Sequence, residues 1–242
     1  ADRVAKQTGM PVVTVSASMG VISLFMDAQR HTIERPENII ARAGQALSAL
    51  ARYRQRLRDR LHNLDMLEVQ DAVTVHDVAA CAQQYEFVRR LADELSGNIA
   101  ALGIDGRLLD LQLTELVAGV DSLPLLLEAD YAPLDPADAL RVAALRGLET
   151  DALRDVALVA DTMGLAGPLD SKVSPRGLRQ LAQVPRVPMA VANRLIDHFE
   201  TLQGLLGAST TELMAVEGVT EQRARAIRDT LSRAAESVGV AE

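Results

Sequence analysis

The C-terminal part of this chain repeats itself. Leu181 matches Leu213, Val184 matches Val216, Val187 matches Val219, Ala192 matches Ala224 and Leu195 matches Ile227, every pair at the same offset. A constant offset means that one supersecondary unit is used twice and must bury its apolar face against its own copy. Apolar residues three, four and seven positions apart on either side of a short turn make that unit a helix, a tight hairpin and a second helix. A chain so constrained ends in a small, closely packed helical body.

The second copy, Leu213-Met-Ala-Val-Glu-Gly-Val-Thr-Glu-Gln-Arg-Ala-Arg-Ala-Ile227, resembles the helix-hairpin-helix pattern, with a glycine hairpin ahead of a small Ala224 and a large Ile227. Such a hairpin presents unpaired backbone N–H groups and the positive end of a helix dipole to an anion, which suits a phosphate. Gly218 has the backbone freedom the turn needs and leaves room for close approach. Val219 continues the hairpin, Thr220 stands where the pattern usually has a second glycine, and Arg223, Arg225 and Arg228 in the following helix add positive charge. In the first copy the two glycine positions hold Arg186 and Pro188, flanking Val187. Pro188 donates no N–H, so that hairpin is the weaker donor, with the Arg186 side chain standing in. Phosphate contacts carry no base information, so the expected target is branched DNA, such as a four-way junction, recognised by shape. The competing reading makes one or both copies packing or protein-docking units.

A net charge of -8 excludes a nucleic-acid binder that uses its whole surface and leaves room for a local patch. Aromatic residues are 2% and Trp is absent, so the core must come from Leu, Val, Ile and Ala, which favours packed helices. Cys81 is the only cysteine and cannot form an internal disulfide, which points to a reducing, cytoplasmic setting. No apolar stretch approaches membrane-spanning length, and no membrane contact is expected. His31, His62, His76 and His198 are scattered without ligand spacing, so no metal site is expected.

Along the chain, Ala1 to Thr8 reads as a helix already under way, and Pro11 to Ser18 and Gly20 to Asp27 read as two strands joined near Met19 and Gly20. Two strands are marginal alone, which makes residues 1–35 the remnant of a larger domain. Pro36 opens a long amphipathic helix with Ile39, Ala43, Leu47, Leu50, Leu57, Leu61 and Leu64 on one face. Thr74 and Asp77 form a capping box ahead of a second helix, through Val78, Ala82, Tyr85, Val88, Leu91 and Leu95, that stops by Gly103. A third covers about Arg107 to Val117. Pro133 and Pro136 break any helix between Tyr131 and Asp138. Helical pattern resumes from Leu140 to Met163, breaks at Gly164, Gly167 and Pro168, and gives way to the repeat at Ser174-Pro175. Arginines 52, 54, 56, 58 and 60 alternate and so spread around a solvated helix. Glu86, Asp93 and Glu94 beside Arg89 and Arg90 read as helix-surface pairs worth a few tenths of a kcal/mol each, roughly.

The strand pair, the helical middle and the doubled hairpin stand in the order found in the DisA family of diadenylate cyclases, which the chain resembles along its whole length. Supporting strings include Arg3-Val4-Ala5-Lys6-Gln7-Thr8-Gly9, Val13-Thr14-Val15-Ser16-Ala17-Ser18-Met19, Ile40-Ala41-Arg42-Ala43-Gly44-Gln45-Ala46-Leu47, Gly106-Arg107-Leu108 with Leu111-Gln112-Leu113, and Thr201-Leu202-Gln203-Gly204-Leu205-Leu206. The resemblance implies a mainly α protein with a small α/β remnant. Residues 1–35 close a cyclase domain, 36–130 form a helical spine, 131–173 a helical connector, and 174–242 a tandem helix-hairpin-helix DNA-binding domain. It further implies a cytoplasmic, nucleoid-associated enzyme that condenses two ATP into cyclic di-AMP with Mg2+ or Mn2+, assembles as an octamer, and senses branched DNA. The family's Asp-Gly-Ala and Arg-His-Arg-Thr motifs are absent from this sequence and are expected upstream of Ala1, so this chain alone is expected to be inactive. Arg30-His31-Thr32 is refused as a catalytic motif because it lacks the second arginine, and reads as a solvated strand end. Asp105-Gly106 is followed by Arg107 at a helix start, where Asp is an ordinary cap. One residue carries over: Ser16, after the Val12 to Val15 strand, matches a family serine lining the ATP site, and reads equally as a plain strand-end serine. The alternative function is a non-catalytic DNA-binding or scaffold protein acting on branched or recombination-intermediate DNA.

Overall fold

A computed structural model describes residues 1–16, 21–26, 29–33, 35–132, 140–165 and 167–239. The chain is mostly helical with one small sheet, and its contacts divide it into two compact units. One comprises Ala1–Leu50 with Leu91–Leu116; the other comprises Ala51–Arg90 with Val117–Glu242. The units therefore interleave along the chain.

In the first unit, α1 (Asp2–Thr8) ends on Gly9 at φ 66, where glycine takes the left-handed geometry that closes a helix. Three strands follow, not two: β1 (Val12–Ser16), β2 (Val21–Met26) and β3 (Gln29–Ile33). They form an antiparallel meander in which Val12 pairs with Phe25 and Leu24 with His31. The turn expected at Met19 and Gly20 lies outside the described residues. Arg30, His31 and Thr32 are solvated, as expected, but they form the middle of β3 and not the end of a strand. β3 escaped notice because its residues are polar and its pairing is set by β2. Arg30 donates through Nε and Nη2 to Ser23 Oγ at 3.3 and 3.2 Å and lies over the Phe25 ring. Val13, Val15 and Ile22 stay exposed on this sheet.

Helix α2 (Pro36–Val69) buries Ile39, Ala43, Leu47, Leu50, Leu57 and Leu64, as the spacing predicts, with Leu61 half-buried. Helix α3 (Val75–Ala100) begins at half of the expected capping box: the Thr74 N–H and hydroxyl both donate to Asp77 Oδ2, at 2.9 and 2.6 Å. Helix α4 (Arg107–Val117) falls where expected.

In the second unit, α5 (Leu123–Tyr131) leads to the proline-containing stretch 133–139, which lies outside the described residues. The helix expected from Leu140 onward is mostly two 3-10 turns, Val142–Gly147 and Ala152–Arg154, and only α6 (Val156–Met163) is α-helical. Asp155 accepts from the N–H groups of Ala157 and Leu158 and so starts α6, which Gly164 closes at φ 84. The remaining helices are α7 (Leu178–Ala182), α8 (Met189–Phe199), α9 (Leu202–Gly207), α10 (Thr210–Met214) and α11 (Glu221–Gly239).

Glu86 is not on a helix surface. It is 1% exposed, accepts from Arg89 twice at 2.7 Å and from Arg90 at 2.8 Å, and Arg90 also donates to the carbonyls of Leu145 and Leu148. Burial pushes the Glu86 carboxyl up, but the two guanidiniums outweigh it and hold the group below the usual carboxylate range. The alternating arginines are not all solvated either. Arg54 is half-buried and donates to Ala118 O, while Arg56 lies over Tyr53.

Candidate nucleic-acid interface

The repeat in the sequence is a repeat in the backbone. Helices α7 and α10, and the starts of α8 and α11, are related by the same offset as the matched residues. Leu181 and Leu213, Val184 and Val216, Ala192 and Ala224, and Leu195 and Ile227 are buried together in one core, which Leu178, Leu202, Leu205 and Leu231 complete. The two hairpins also share their backbone bonds: the Val187 N–H donates to Val184 O, and the Val219 N–H to Val216 O.

The decisive difference sits at one position. Gly218 has φ 87 and its counterpart Arg186 has φ 65. Both hairpins therefore need the left-handed backbone, which glycine adopts freely and arginine at a cost of roughly 1–2 kcal/mol. At Gly218 a β-carbon would also lie 3.1 Å from Arg194 Nη2 and 3.2 Å from Val191 Cγ2, so a side chain there meets the left-handed backbone first and would also have to displace the end of Arg194 slightly.

Thr220 starts α11. Its carbonyl accepts from the Ala224 N–H at 2.9 Å and its hydroxyl from the Arg223 N–H at 3.4 Å. The opening N–H groups of α11 have no intrahelical acceptor and leave the positive end of the helix beside the hairpin. Arg223 folds back to donate Nη1 to Gly218 O at 2.7 Å. Pro185, Arg186, Thr220, Gln222, Arg223 and Ala226 line one concavity of about 490 Å³. Two arginines, one from each hairpin, thus meet at a concave surface rimmed by a helix N-terminus.

The other residues singled out from the sequence are placed differently. Val187 and Val219 turn their side chains into the core, half-buried and buried respectively, and can present only backbone. Arg225 pairs with Glu221 one turn back, both well exposed. Arg228 donates Nη1 to the carbonyls of Leu206 and Ala208 at 3.0 and 2.8 Å, where it braces the end of α9. Ser16 lies in the first unit, at the end of β1 opposite Val21.

Sequence reasoning passed over a buried polar cluster that seats α7. Asp130 accepts from the N–H groups of Gly177 at 2.7 Å, Leu178, and Arg179 at 2.8 Å. Glu68, fully buried, accepts from Tyr131 Oη at 2.6 Å and Gln180 Nε2 at 2.9 Å, and Arg179 bridges Glu68 and Asp65. Burial, and then the Glu68 charge, push the Asp130 carboxyl up to about 7, against the N–H groups that favour its ionised form. No local pattern marks these residues, because the partners are far apart in sequence.

A family model described as the DisA bacterial checkpoint controller linker region matches residues 33–171. The DNA integrity scanning protein DisA of Acidothermus cellulolyticus is 49% identical over 246 residues, covering 98% of this chain and 66% of the relative. Those of a Parafrankia species and of Streptomyces griseus are 47% and 48% identical over 98% of this chain, and 68% and 66% of the relatives. The chain thus spans about two thirds of the length of the curated relatives it matches.

Proposed function

Since the chain belongs to the DisA family, we propose that it is the helical spine and DNA grip of a diadenylate cyclase, with the second hairpin as the main phosphate-binding element. The observation that carries this reading is the concavity where Arg186 and Arg223 converge beside the Gly218 hairpin and the start of α11. A phosphodiester oxygen there meets unpaired N–H donors, a helix dipole and two guanidiniums, all favouring negative charge. Arg186, Val187, Gly218, Val219, Thr220 and Arg223 supply the contact directly, the valines through backbone, while Arg225 and Arg228 contribute field more than contact. Because nothing in this set reads base edges, selectivity rests on two hairpins engaging backbones at a fixed separation, which suits branched DNA such as a four-way junction.

In this reading the intact protein condenses two ATP into cyclic di-AMP with Mg2+ or Mn2+, as an octamer, and Ser16 borders the ATP site. Among the described residues, no group of three or more His, Cys, Asp or Glu side chains is gathered so as to hold a metal. No step is routed through a metal here. No described helix is long and apolar enough to cross a membrane.

The test is titration of a four-way junction and a matched linear duplex into the chain across a salt series. Junction binding is expected to be the tighter and to fall steeply with salt, since each neutralised phosphate releases counterions. Arg223→Ala and Arg186→Ala are each expected to weaken it by about tenfold. Affinity that ignores both salt and these substitutions overturns the grip. Incubation with ATP and Mn2+ is expected to yield no cyclic di-AMP, and product would place the active site within these residues.

A further inference from the structure

The two repeats are not independent around Gly218. Arg194 belongs to α8, in the first repeat, yet its Nη2 occupies the space beside the Gly218 Cα, 3.1 Å from where a β-carbon would stand. Arg223, in the second repeat, holds Gly218 O through Nη1. One glycine is therefore flanked by two guanidiniums, at its carbonyl oxygen and at its Cα. The position in the second repeat that matches Arg194 is Ala226, so the crossing is one-way and cannot be read from the repeat. The Arg194 guanidinium is partly exposed, and its partner is Glu217, at 3.7 Å, in a pair with side chains 44% and 87% exposed. A pair so long and so open is worth little in water and is readily exchanged for a better anion.

Resting on the reading of the second hairpin as a phosphate grip, we propose that Arg194 is a third phosphate ligand of that hairpin, supplied across the repeat boundary and masked by Glu217 when DNA is absent. A phosphodiester entering at Gly218 offers the guanidinium two oxygens in a geometry matched to its fork, whereas Glu217 offers a long, solvated contact. The lack of a side chain at Gly218 then serves two things at once: the left-handed turn and the passage of Arg194.

The chain is titrated with a four-way DNA junction at ~0.1 M salt and above, as parent, Arg194→Ala, Arg194→Lys, Glu217→Gln and Arg223→Ala, with thermal unfolding of each as the folding control. Arg194→Ala is expected to weaken binding about fivefold to tenfold and to lower the salt slope by about one. Arg194→Lys is expected to recover the slope but only part of the affinity, because a point charge replaces the fork. Glu217→Gln is expected to bind more tightly than the parent, having lost the masking carboxylate. If Arg194→Ala binds like the parent while Arg223→Ala does not, Arg194 is only a packing residue and the grip stands without it. If neither matters, the phosphate grip itself falls. Glu217→Gln that binds no more tightly removes the masking role.

Discussion

Arg186 and Gly218 occupy the same place in the two hairpins and resolve the same backbone demand in different ways. At φ 65 an arginine is strained, and the exposed side chain buries little to offset it. Arg186→Gly is therefore expected to stabilise the chain by about 0.5–1 kcal/mol, less whatever freedom glycine adds to the unfolded state. In urea unfolding this is read as a higher midpoint at constant slope. The same variant is expected to bind a junction less tightly, so stability and binding move in opposite directions at one residue. A loss of stability would mean that the arginine makes a contact that outweighs its strain. The positions of Arg186 and Gly218 were plain from the repeat, but the strain was not, because only backbone angles reveal it.

At the scale of elements, two buried carboxylates set opposing responses to pH. Asp130 ties the end of α5 to the start of α7, and its folded pKa of about 7 lies above the ordinary carboxylate value near 3.9. The folded state thus holds this proton more tightly than the unfolded chain does. Its contribution is fully present below the unfolded value and is lost as pH rises through about 7. Glu86, held down by Arg89 and Arg90, works the other way: its contribution is present above the ordinary carboxylate range and is lost on acidification. Asp130→Asn is expected to lower stability at every pH, because the amide cannot accept at both atoms from the three N–H groups of α7. It is also expected to remove the fall in stability that Asp130 contributes between about pH 4 and pH 7. Thermal unfolding of parent and variant across that range checks both, and equal pH slopes would refute the assignment. Periodicity showed α2, α3 and α4 but not the 3-10 turns after Leu140, where the chain follows its neighbours more than its own pattern.

For the second unit as a whole, Arg179 is the fastening of the hairpin helices to α2 and α5. It is 5% exposed and stands between Asp65 and fully buried Glu68, which itself receives Tyr131 and Gln180. Backbone bonds reinforce the seam: the Arg176 N–H donates to Asp130 O, the Val173 N–H to Val73 O, and Gln203 Nε2 to the carbonyls of Glu68 and Val69. The hairpin helices are therefore expected to unfold with the α2 and α5 segments in one transition. Arg179→Ala leaves Glu68 buried without its cation and is expected to cost about 3–5 kcal/mol. Amide exchange should then quicken together at residues 64–69, 127–131 and 177–182. Exchange that quickens at α7 alone would show that the seam carries no such coupling.

The sequence by itself determined what depends on near neighbours: the helical faces of α2 and α3, the repeat, and the glycine turn of the second hairpin. These follow from side-chain spacing and backbone freedom, which a few consecutive residues settle. The tertiary structure alone decided which charges are buried and what they meet. Glu86 reads like any surface acid, Arg228 like any cation near a hairpin, and β3 like the solvated end of the strand before it. The cluster of Asp65, Glu68, Asp130 and Arg179 is assembled from three separate helices, and Arg194 reaches Gly218 across the repeat. The physical reason is the same throughout: desolvation and long-range pairing depend on what packing brings together, and no local pattern encodes it.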